Sequence, residues 1–459
     1  WNYTNAGYTN SFVEFTVMAL ERELKRFLTT LRRDGSFDFY SSLIEIEKYD
    51  AREKNQLEAI LCASPESLSE DWQADALSLF VHEYTHYLDV TCTTWGLEFL
   101  LRKNNVIKSL GDRDALDKYS PVFMLNLAEI ELHSRLLNIH RNDVKLTNCK
   151  TEHAALYSDV YGPIIVVYFT SGTEQVLSTP LSMLSVLESN AYASEILCKI
   201  RFLEANNNTD SLLLLEVEVN EYLNSPELSE YSLLLILCRK HFDYLSLKEC
   251  MVFYQSLVWR ILNMNGLNLS IISAFLKYTF LNKYVGNAIC KDLQRGMSRQ
   301  VVVFKLILML HQFINESKDK NELIGLLKND PKKILRIFFE ENNISVVDSL
   351  DVGEWTEFTV HLDTAQKCSK LQEKEFISGS ARHNHQKLQD SSWGELSLTD
   401  FLLPDALLSD GTVLSAPYRI DLDVVDYFDR HLDQMHKVEN IYKATDVSKF
   451  HIHPDDVSH

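Results

Sequence analysis

The chain has 459 residues, about three times a typical domain, so it can bury a large core and is not a small disulfide-stapled protein. It carries 65 Asp and Glu against 45 Lys and Arg, a formal net charge of −20, which argues against nucleic acid or an anionic membrane as a partner. A hydrophobic content of 46% with 14 glycines and 9 prolines indicates a folded, helix-rich protein and excludes a low-complexity or collagen-like chain.

The cysteines and the longest apolar runs bear on the compartment. The eight cysteines include no C-x-x-C pair, and Cys62, Cys198 and Cys290 lie beside Leu or Ile, as buried free thiols do. We therefore expect a reducing, cytoplasmic environment, with secretion as the less favoured alternative because sequons such as Asn268-Leu-Ser are present. The apolar stretch at 301–310 is interrupted by a lysine and is shorter than roughly 18 residues, so we expect no membrane span.

The first predicted elements are amphipathic helices. Apolar spacing predicts a helix at 11–33. The pattern Ser67-x-x-Glu70 is typical of a capping box, and a sequence without Gly or Pro follows it. We therefore predict a long helix from about Ser69 past Asp89.

The middle of the chain changes from helical to β-type patterning and back. A helix is predicted at 124–138, and the β-branched and aromatic segment 163–169 then predicts a strand. The residues Ser171-Gly172-Thr173 predict a turn into 174–177, and so a short hairpin. Helical spacing resumes from Pro180 through Leu203, and further helices are predicted over roughly 211–350.

The expected fold class is mainly α with a small β-sheet (α+β). The polar stretch 367–393, which contains Ser378-Gly379-Ser380, is the best linker candidate. We therefore expect a first region at 1–260, a helical region at 261–350 and a C-terminal region at 351–459.

The strongest chemical signal is the segment His82-Glu83-Tyr84-Thr85-His86 in the long helix. Residues four apart project from one helix face, one turn apart, so two neutral imidazoles there can bind one Zn²⁺ at about 2.0–2.1 Å. Glu83 lies about 100° further round the helix, where it can reach a water on the metal but cannot readily join the ligands. The alternative is an ordinary buried helix with two hydrogen-bonded histidines.

This segment resembles the signature of the zincin metallopeptidases. The residues that match the extended pattern are Leu79, Phe80, Val81, Tyr84, Tyr87 and Leu88. The resemblance implies that the region 1–260 is a zincin-like catalytic domain, that Zn²⁺ is bound by His82 and His86, and that Glu83 is the general base that activates a water.

A catalytic zinc site needs a third protein ligand. The segment Leu187-Glu188-x-x-Ala191 resembles the helix that completes the site in gluzincins, which implies Glu188 as the third ligand. The sequence departs from the aminopeptidase-like form at Leu187, Ser189 and Asn190. Two alternatives for the third ligand therefore stay open, Glu195 and Asp89.

Other polar residues are candidates for supporting roles. Asp75 and Asp89 share a helix face with the histidines and could accept the second N–H of a metal-bound imidazole. Tyr192, one turn after Glu188, is the candidate donor to a developing oxyanion, and a core tyrosine is its alternative. The weaker candidates for that donor are His241 and Tyr244. We expect solvated surface histidines in the pairs His383/His385 and His451/His453.

The expected function is that of a zinc-dependent endopeptidase with selected protein targets. Roughly 200 residues outside the first region are available for recognition or control, so the expected partners are a protein or peptide substrate and a regulatory protein. The strand at 163–169 would be the sheet edge that binds an extended substrate. The alternative is a helical interaction protein with a structural or vestigial metal site, closed by four protein ligands.

Overall fold

A computed structural model describes the chain in ten stretches, namely residues 34–39, 42–108, 136–158, 162–280, 282–344, 350–367, 377, 379–391, 394–427 and 450–452. Side chains are described within these stretches except at 106–108, 157–158, 162, 350–353 and 450–452. The helix expected at 11–33 lies outside the described residues, as does most of the helix expected at 124–138. Asn138, the last residue of that expected helix, is in a strand.

The described chain is mainly α-helical. Its helices are α1 (Lys54–Leu61), α2 (Asp71–Thr91), α3 (Thr94–Lys108), α4 (Met183–Ala205), α5 (Thr209–Leu223), α6 (Ser229–His241), α7 (Leu247–Leu262), α8 (Gly266–Leu276), α9 (Lys283–Leu293), α10 (Arg299–Glu316), α11 (Lys320–Asn329), α12 (Pro331–Glu341), α13 (Leu350–Lys367) and α14 (Ser380–Asp390). Its strands are β1 (Ser36–Asp38), β2 (Leu43–Ile46), β3 (Asn138–Ile139), β4 (Lys150–Ser158), β5 (Gly162–Ser171), β6 (Glu174–Leu181), β7 (Ala406–Leu408), β8 (Val413–Leu414) and β9 (Phe450–Ile452). The expected class, mainly α with a small β-sheet, is confirmed.

Helix α2 forms where a long helix was predicted, but its cap lies one turn later than expected. Ser67 ends a short 3₁₀ turn, and Glu70 is the N-cap residue. The Gln73 side chain accepts a hydrogen bond from the backbone N–H of Glu70 at 3.2 Å, which closes a reciprocal capping box. The predicted pair Ser67 and Glu70 was wrong because Pro65 starts a separate turn before the chain extends into Glu70.

The described strands form two sheets. One has the order β3-β6-β5-β4-β9 with antiparallel neighbours, and the other has the order β1-β2-β7-β8, in which β2 and β7 are parallel. The predicted hairpin is confirmed as β5–β6, and Gly172 turns the chain at a φ of +64°, which glycine adopts at no steric cost. Pro180 belongs to β6, so the helix expected from that residue begins only at Met183, after the N-cap Ser182.

The prediction that the segment 163–169 is a sheet edge was wrong. Strand β5 pairs with β4 on one side and with β6 on the other. Its backbone N–H and C=O groups are therefore already used, and no substrate can add along it. In the described part of the chain, β1 has a neighbour on one side only.

The expected linker at 367–393 contains a helix. Helix α14 buries Asn384 and His385, and the Asn384 side chain both donates to the Leu402 carbonyl at 2.8 Å and accepts from the Leu402 N–H at 2.9 Å. These polar side chains can be buried because backbone groups satisfy their hydrogen-bonding capacity. The division of the chain at 260 and 350 stays a prediction.

Helix α4 lies at the centre of the fold. It is apolar on nearly all sides, as expected for a helix surrounded by others, and packs against α2, α6 and α7. Among the described helices, none is both long and apolar enough to cross a bilayer. The consequence for function is that two helices from distant parts of the sequence, α2 and α4, are held side by side.

Candidate metal centre

Small residues let α2 and α4 pack closely. Ala191 and Ala193 of α4 are fully buried, and Ser189 and Ser194 are almost fully buried. Two polar contacts fix the pair: Asn190 donates to both carboxylate oxygens of Asp89 at 3.0 and 3.1 Å, and a histidine of α2 meets a carboxylate of α4. These contacts therefore fix one register of α2 against α4.

This register brings His82, His86 and Glu188 together. The Nε2 atom of His82 lies 3.6 Å from Oε2 of Glu188, and the Nε2 atom of His86 lies 3.7 Å from the same oxygen. The two imidazole rings are 5.2 Å apart between centroids. All three ligand atoms lie within 4.8 Å of one another.

The spacing fits a shared cation better than direct hydrogen bonds. A hydrogen bond needs about 2.7–3.2 Å, so neither contact of Glu188 qualifies. Ligand atoms at about 2.0–2.1 Å from a tetrahedral Zn²⁺ lie about 3.3–3.4 Å apart, within a few tenths of an ångström of the observed 3.6 and 3.7 Å. Two imidazole nitrogens and one carboxylate oxygen are also a donor set that zinc prefers.

The site is open on one side. The side chain of His86 is 3% exposed, whereas those of His82 and Glu188 are 18% and 24% exposed. A small molecule can therefore reach the point where the three ligand atoms converge, as a catalytic site requires.

Glu195 approaches the opposite nitrogen of one of these rings. Its Oε2 lies 3.2 Å from Nδ1 of His82, while its Oε1 accepts from Nζ of Lys199 at 2.9 Å. The sequence left Glu195 open as the third ligand, and in the structure its carboxylate approaches Nδ1 of His82, whereas Nε2 of the same ring faces Glu188. A carboxylate on the far nitrogen fixes the tautomer that presents Nε2 to a metal. Asp75, 57% exposed, lies 3.6 Å from Lys199.

The charges in this cluster favour a cation. Burial would lower the pKa of His82, but the neighbouring carboxylates of Glu188 and Glu195 outweigh it and raise that pKa well above its usual range. Burial would likewise raise the pKa of Glu188, yet the imidazoles of His86 and His82 hold it well below its usual range. Burial would also raise the pKa of Glu195, and Lys199 and His82 lower it to about 2. Both carboxylates are therefore ionised at neutral pH.

Glu83 lies beside this cluster but is not part of it. Its side chain is buried and projects from α2 toward the start of β1. A methyl group at Gly35 would lie 2.9 Å from Oε1 of Glu83 and 3.1 Å from Cδ1 of Ile46. Glycine at position 35 thus leaves the space that the Glu83 carboxylate occupies.

Aromatic residues of the β1 segment cover His86. The Phe37 ring stacks on the His86 ring with centroids 6.0 Å apart, and Phe39 meets it edge-on at 5.6 Å. None of the described residues accepts a hydrogen bond from Nδ1 of His86. Asp89 lies close enough for its charge to interact with His86, and burial raises the pKa of Asp89 to about 7.

Two tyrosines stack next to the cluster. The rings of Tyr192 and Tyr222 are 4.0 Å apart and nearly parallel. Burial raises the pKa of both, and the charge of Glu188 adds to the shift for Tyr222 but not for Tyr192, whose charged neighbours are Glu195 and Glu218. Sequence reasoning missed Tyr222, since nothing in its local pattern on α5 distinguishes it from a packed tyrosine.

The weaker oxyanion-donor candidates are not brought to the cluster. His241 packs against His311 with centroids 4.8 Å apart, and burial lowers the pKa of His241 to about 4. Tyr244 packs against Phe242. Neither His241 nor Tyr244 contacts the three converging residues.

The expectation for the C-terminal histidines was partly wrong. His385 is buried on α14, and its Nδ1 donates to the Cys92 carbonyl at 2.8 Å. His383 is exposed on the same helix, near the Asp400 carbonyl. His451 lies in β9 without a described side chain, and His453 lies outside the described residues.

Comparison with known proteins identifies no relative. No protein-family model, no curated protein and no solved structure matches this chain.

Proposed function

We propose that the chain is a zinc-dependent peptidase that cleaves peptide bonds within selected protein substrates. The observation that carries the proposal is the convergence of His82, His86 and Glu188 on one point, with Glu83 buried beside it on the same helix. Bound there, Zn²⁺ supplies Lewis acidity, which activates water and polarises a carbonyl.

The residues of the chain divide the remaining tasks. His82, His86 and Glu188 hold the metal, and Glu195 keeps the His82 ring in the tautomer that binds it. Glu83 takes a proton from the attacking water and returns it to the leaving amine.

A phenol next to Glu188 is proposed to donate a hydrogen bond to the developing oxyanion. We assign this role to Tyr222, whose hydroxyl interacts electrostatically with Glu188. Tyr192 stacks on it and remains the alternative donor.

The substrate is proposed to bind along β1. In the described part of the chain this strand is paired on one side only, and its segment contacts both Glu83 and His86. An extended peptide that adds to β1 on the side where the described residues place no strand would have its backbone next to the catalytic groups, which suits cleavage within a chain. Regions beyond residue 260 are proposed to select the substrate or to bind a regulatory protein.

Two further observations support the proposal. Among the described residues only three side chains converge at this point, so a closed four-ligand structural site is less well supported. The seven described cysteines are all unpaired, which supports a reducing, cytoplasmic environment.

The test compares the wild type with Glu83→Gln after loading with zinc. Both proteins are incubated with a cell extract, and new protein termini are sequenced. We expect defined internal cleavages from the wild type, their loss in Glu83→Gln with zinc content retained, and wild-type cleavage by the exposed-residue control Asp75→Asn. Equal cleavage by Glu83→Gln would overturn the assignment of the base.

A further inference from the structure

Helix α5 is apolar on two opposite faces. Its inner face is buried in the core through Leu215, Val219 and Leu223. On the other side Leu213, Leu214 and Val217 are 60%, 62% and 53% exposed. A surface helix ordinarily has polar residues on its outer side, and a helix that is apolar all round is buried. The outer side of α5 is therefore suited to contact with another molecule.

Exposed carboxylates stand at both ends of these apolar residues. Asp210 lies at one end, and Glu218 and Glu221 lie at the other. Within the described part of the chain, none of the three forms an ion pair. The charge of Lys199 interacts with Glu218, but the ammonium itself bonds to Glu195. We call this surface the outer face of α5; it consists of Asp210, Leu213, Leu214, Val217, Glu218 and Glu221.

The spacing of the outer face fits a helical partner. Its residues recur at intervals of three and four along about three turns, or roughly 16–17 Å of helix. Apolar anchors at such intervals are typical of the packing of one amphipathic helix on another. A matching helix needs apolar side chains for the centre of the face and lysine or arginine for its two ends.

The charges of the outer face disfavour its other occupants. Two copies of α5 packed antiparallel would place Asp210 of one chain against Glu218 and Glu221 of the other. Parallel packing would set each carboxylate against its own copy, and like charges across an interface are unfavourable. An anionic membrane would be repelled in the same way by a chain of net charge −20. The same field attracts a cationic protein partner.

We propose that the outer face of α5 binds a basic amphipathic helix of a partner protein. Leu213, Leu214 and Val217 pack against the apolar face of that helix. Its lysine or arginine side chains pair with Asp210 at one end and with Glu221 at the other. The proposal does not rest on the metal centre or on peptidase activity.

The test measures binding of helical peptides to the full-length chain by calorimetry, at about 0.15 M salt to screen long-range attraction. The probe is an amphipathic peptide of leucine and lysine, about 14 residues long. Two matched peptides accompany it: one has glutamate in place of every lysine, and one has the same composition in an order that gives no apolar helix face. We expect the probe to bind at least about tenfold more tightly than either matched peptide. No binding of the probe, or equal binding of the reordered peptide, would overturn the proposal.

Substitutions of exposed apolar residues locate the site without disturbing the core. Leu214→Ser with Val217→Ser removes two apolar contacts and is expected to weaken binding of the probe about tenfold or more. The matched control is Leu267→Ser with Val360→Ser, which changes the same residue types at 61% and 57% exposure on α8 and α13. Equal weakening in the control, or no weakening in the first variant, would overturn the proposal.

Substitutions of the carboxylates test the charged ends of the face. Asp210→Asn with Glu221→Gln is expected to weaken binding of the probe about three- to tenfold, the effect of losing two surface ion pairs. Glu322→Gln with Glu341→Gln removes the same net charge from exposed positions on α11 and α12, and we expect it to leave binding unchanged. Equal weakening by both variants would show that the charge of the whole chain attracts the peptide, which would overturn the assignment to α5.

Sedimentation equilibrium tests for a second copy on the same face. We expect the wild type and Leu214→Ser with Val217→Ser to have the same oligomeric state. A wild-type dimer that this variant dissociates would place another copy of the chain on the outer face of α5 and would overturn the proposal.

Discussion

The contact between His82 and Glu195 predicts a specific effect on metal affinity. Replacing Glu195 with Gln keeps the shape of the side chain but removes the negative charge that lies 3.2 Å from Nδ1 of His82. It leaves the three proposed ligands in place. Loss of such a supporting carboxylate typically weakens metal binding by about 10–100-fold, or roughly 1.4–2.8 kcal/mol.

The assay is competition for zinc against a chelator of known affinity at neutral pH. We expect the loss of zinc affinity in Glu195→Gln to lie in that range. The loss in Glu188→Gln, which removes a proposed ligand, should lie well beyond it. Asp75→Asn is the matched control because Asp75 also pairs with Lys199 but is 57% exposed and does not touch the histidines. Unchanged zinc affinity in Glu195→Gln, or an equal loss in Asp75→Asn, would refute the reasoning.

Three further substitutions test other parts of the structure. Gly35→Ala places a methyl group 2.9 Å from Oε1 of Glu83, so the carboxylate must shift, and we expect about tenfold slower peptide turnover with unchanged zinc content. Unchanged turnover would show that the position of Glu83 does not limit the reaction. Tyr222→Phe is expected to lower kcat by about 10²-fold or more with little change in KM, as for a lost oxyanion donor, and a change in KM alone would contradict this role. Lys305 is 5% exposed, and burial lowers its pKa from 10.5 to about 8. Between these pH values the unfolded chain binds this proton more tightly, so the contribution of Lys305 to stability rises with pH. Lys305→Met removes this charge together with its hydrogen bond to Nε2 of His153 at 3.0 Å, and we expect it to abolish that rise relative to wild type in urea titrations over this pH range. Parallel pH profiles of the two proteins would be the contradicting result.

The parts of the site that the sequence predicted are local to a helix. His82, Glu83 and His86 follow from helical spacing, since residues one and four apart have fixed relative directions on any helix. Glu188 was predicted as the partner from a resemblance in a second helix, and the structure brings it to the histidines. These predictions needed no knowledge of how the helices pack.

The parts that were missed depend on contacts across the fold. Gly35 and Phe37 reach Glu83 and His86 only because β1 lies against α2, and no local pattern indicates that approach. The position of Glu195 beside Nδ1 of His82, and not beside Nε2, is decided by how the two helices pack. The polar sequence of Ser380–Asp390 predicts a linker, but the segment is a helix whose Asn384 and His385 side chains bond to backbone groups of distant segments.

The most direct test of the metal centre is X-ray absorption spectroscopy of the zinc-loaded protein, combined with measured metal stoichiometry. We predict one zinc per chain with two imidazole nitrogens and carboxylate oxygen at about 2.0–2.1 Å. We also predict that the histidine contribution is reduced in His86→Ala and that bound zinc is lost in the double variant His82→Ala with His86→Ala. A zinc ion with sulfur ligands, or stoichiometric zinc in the double variant, would contradict the account.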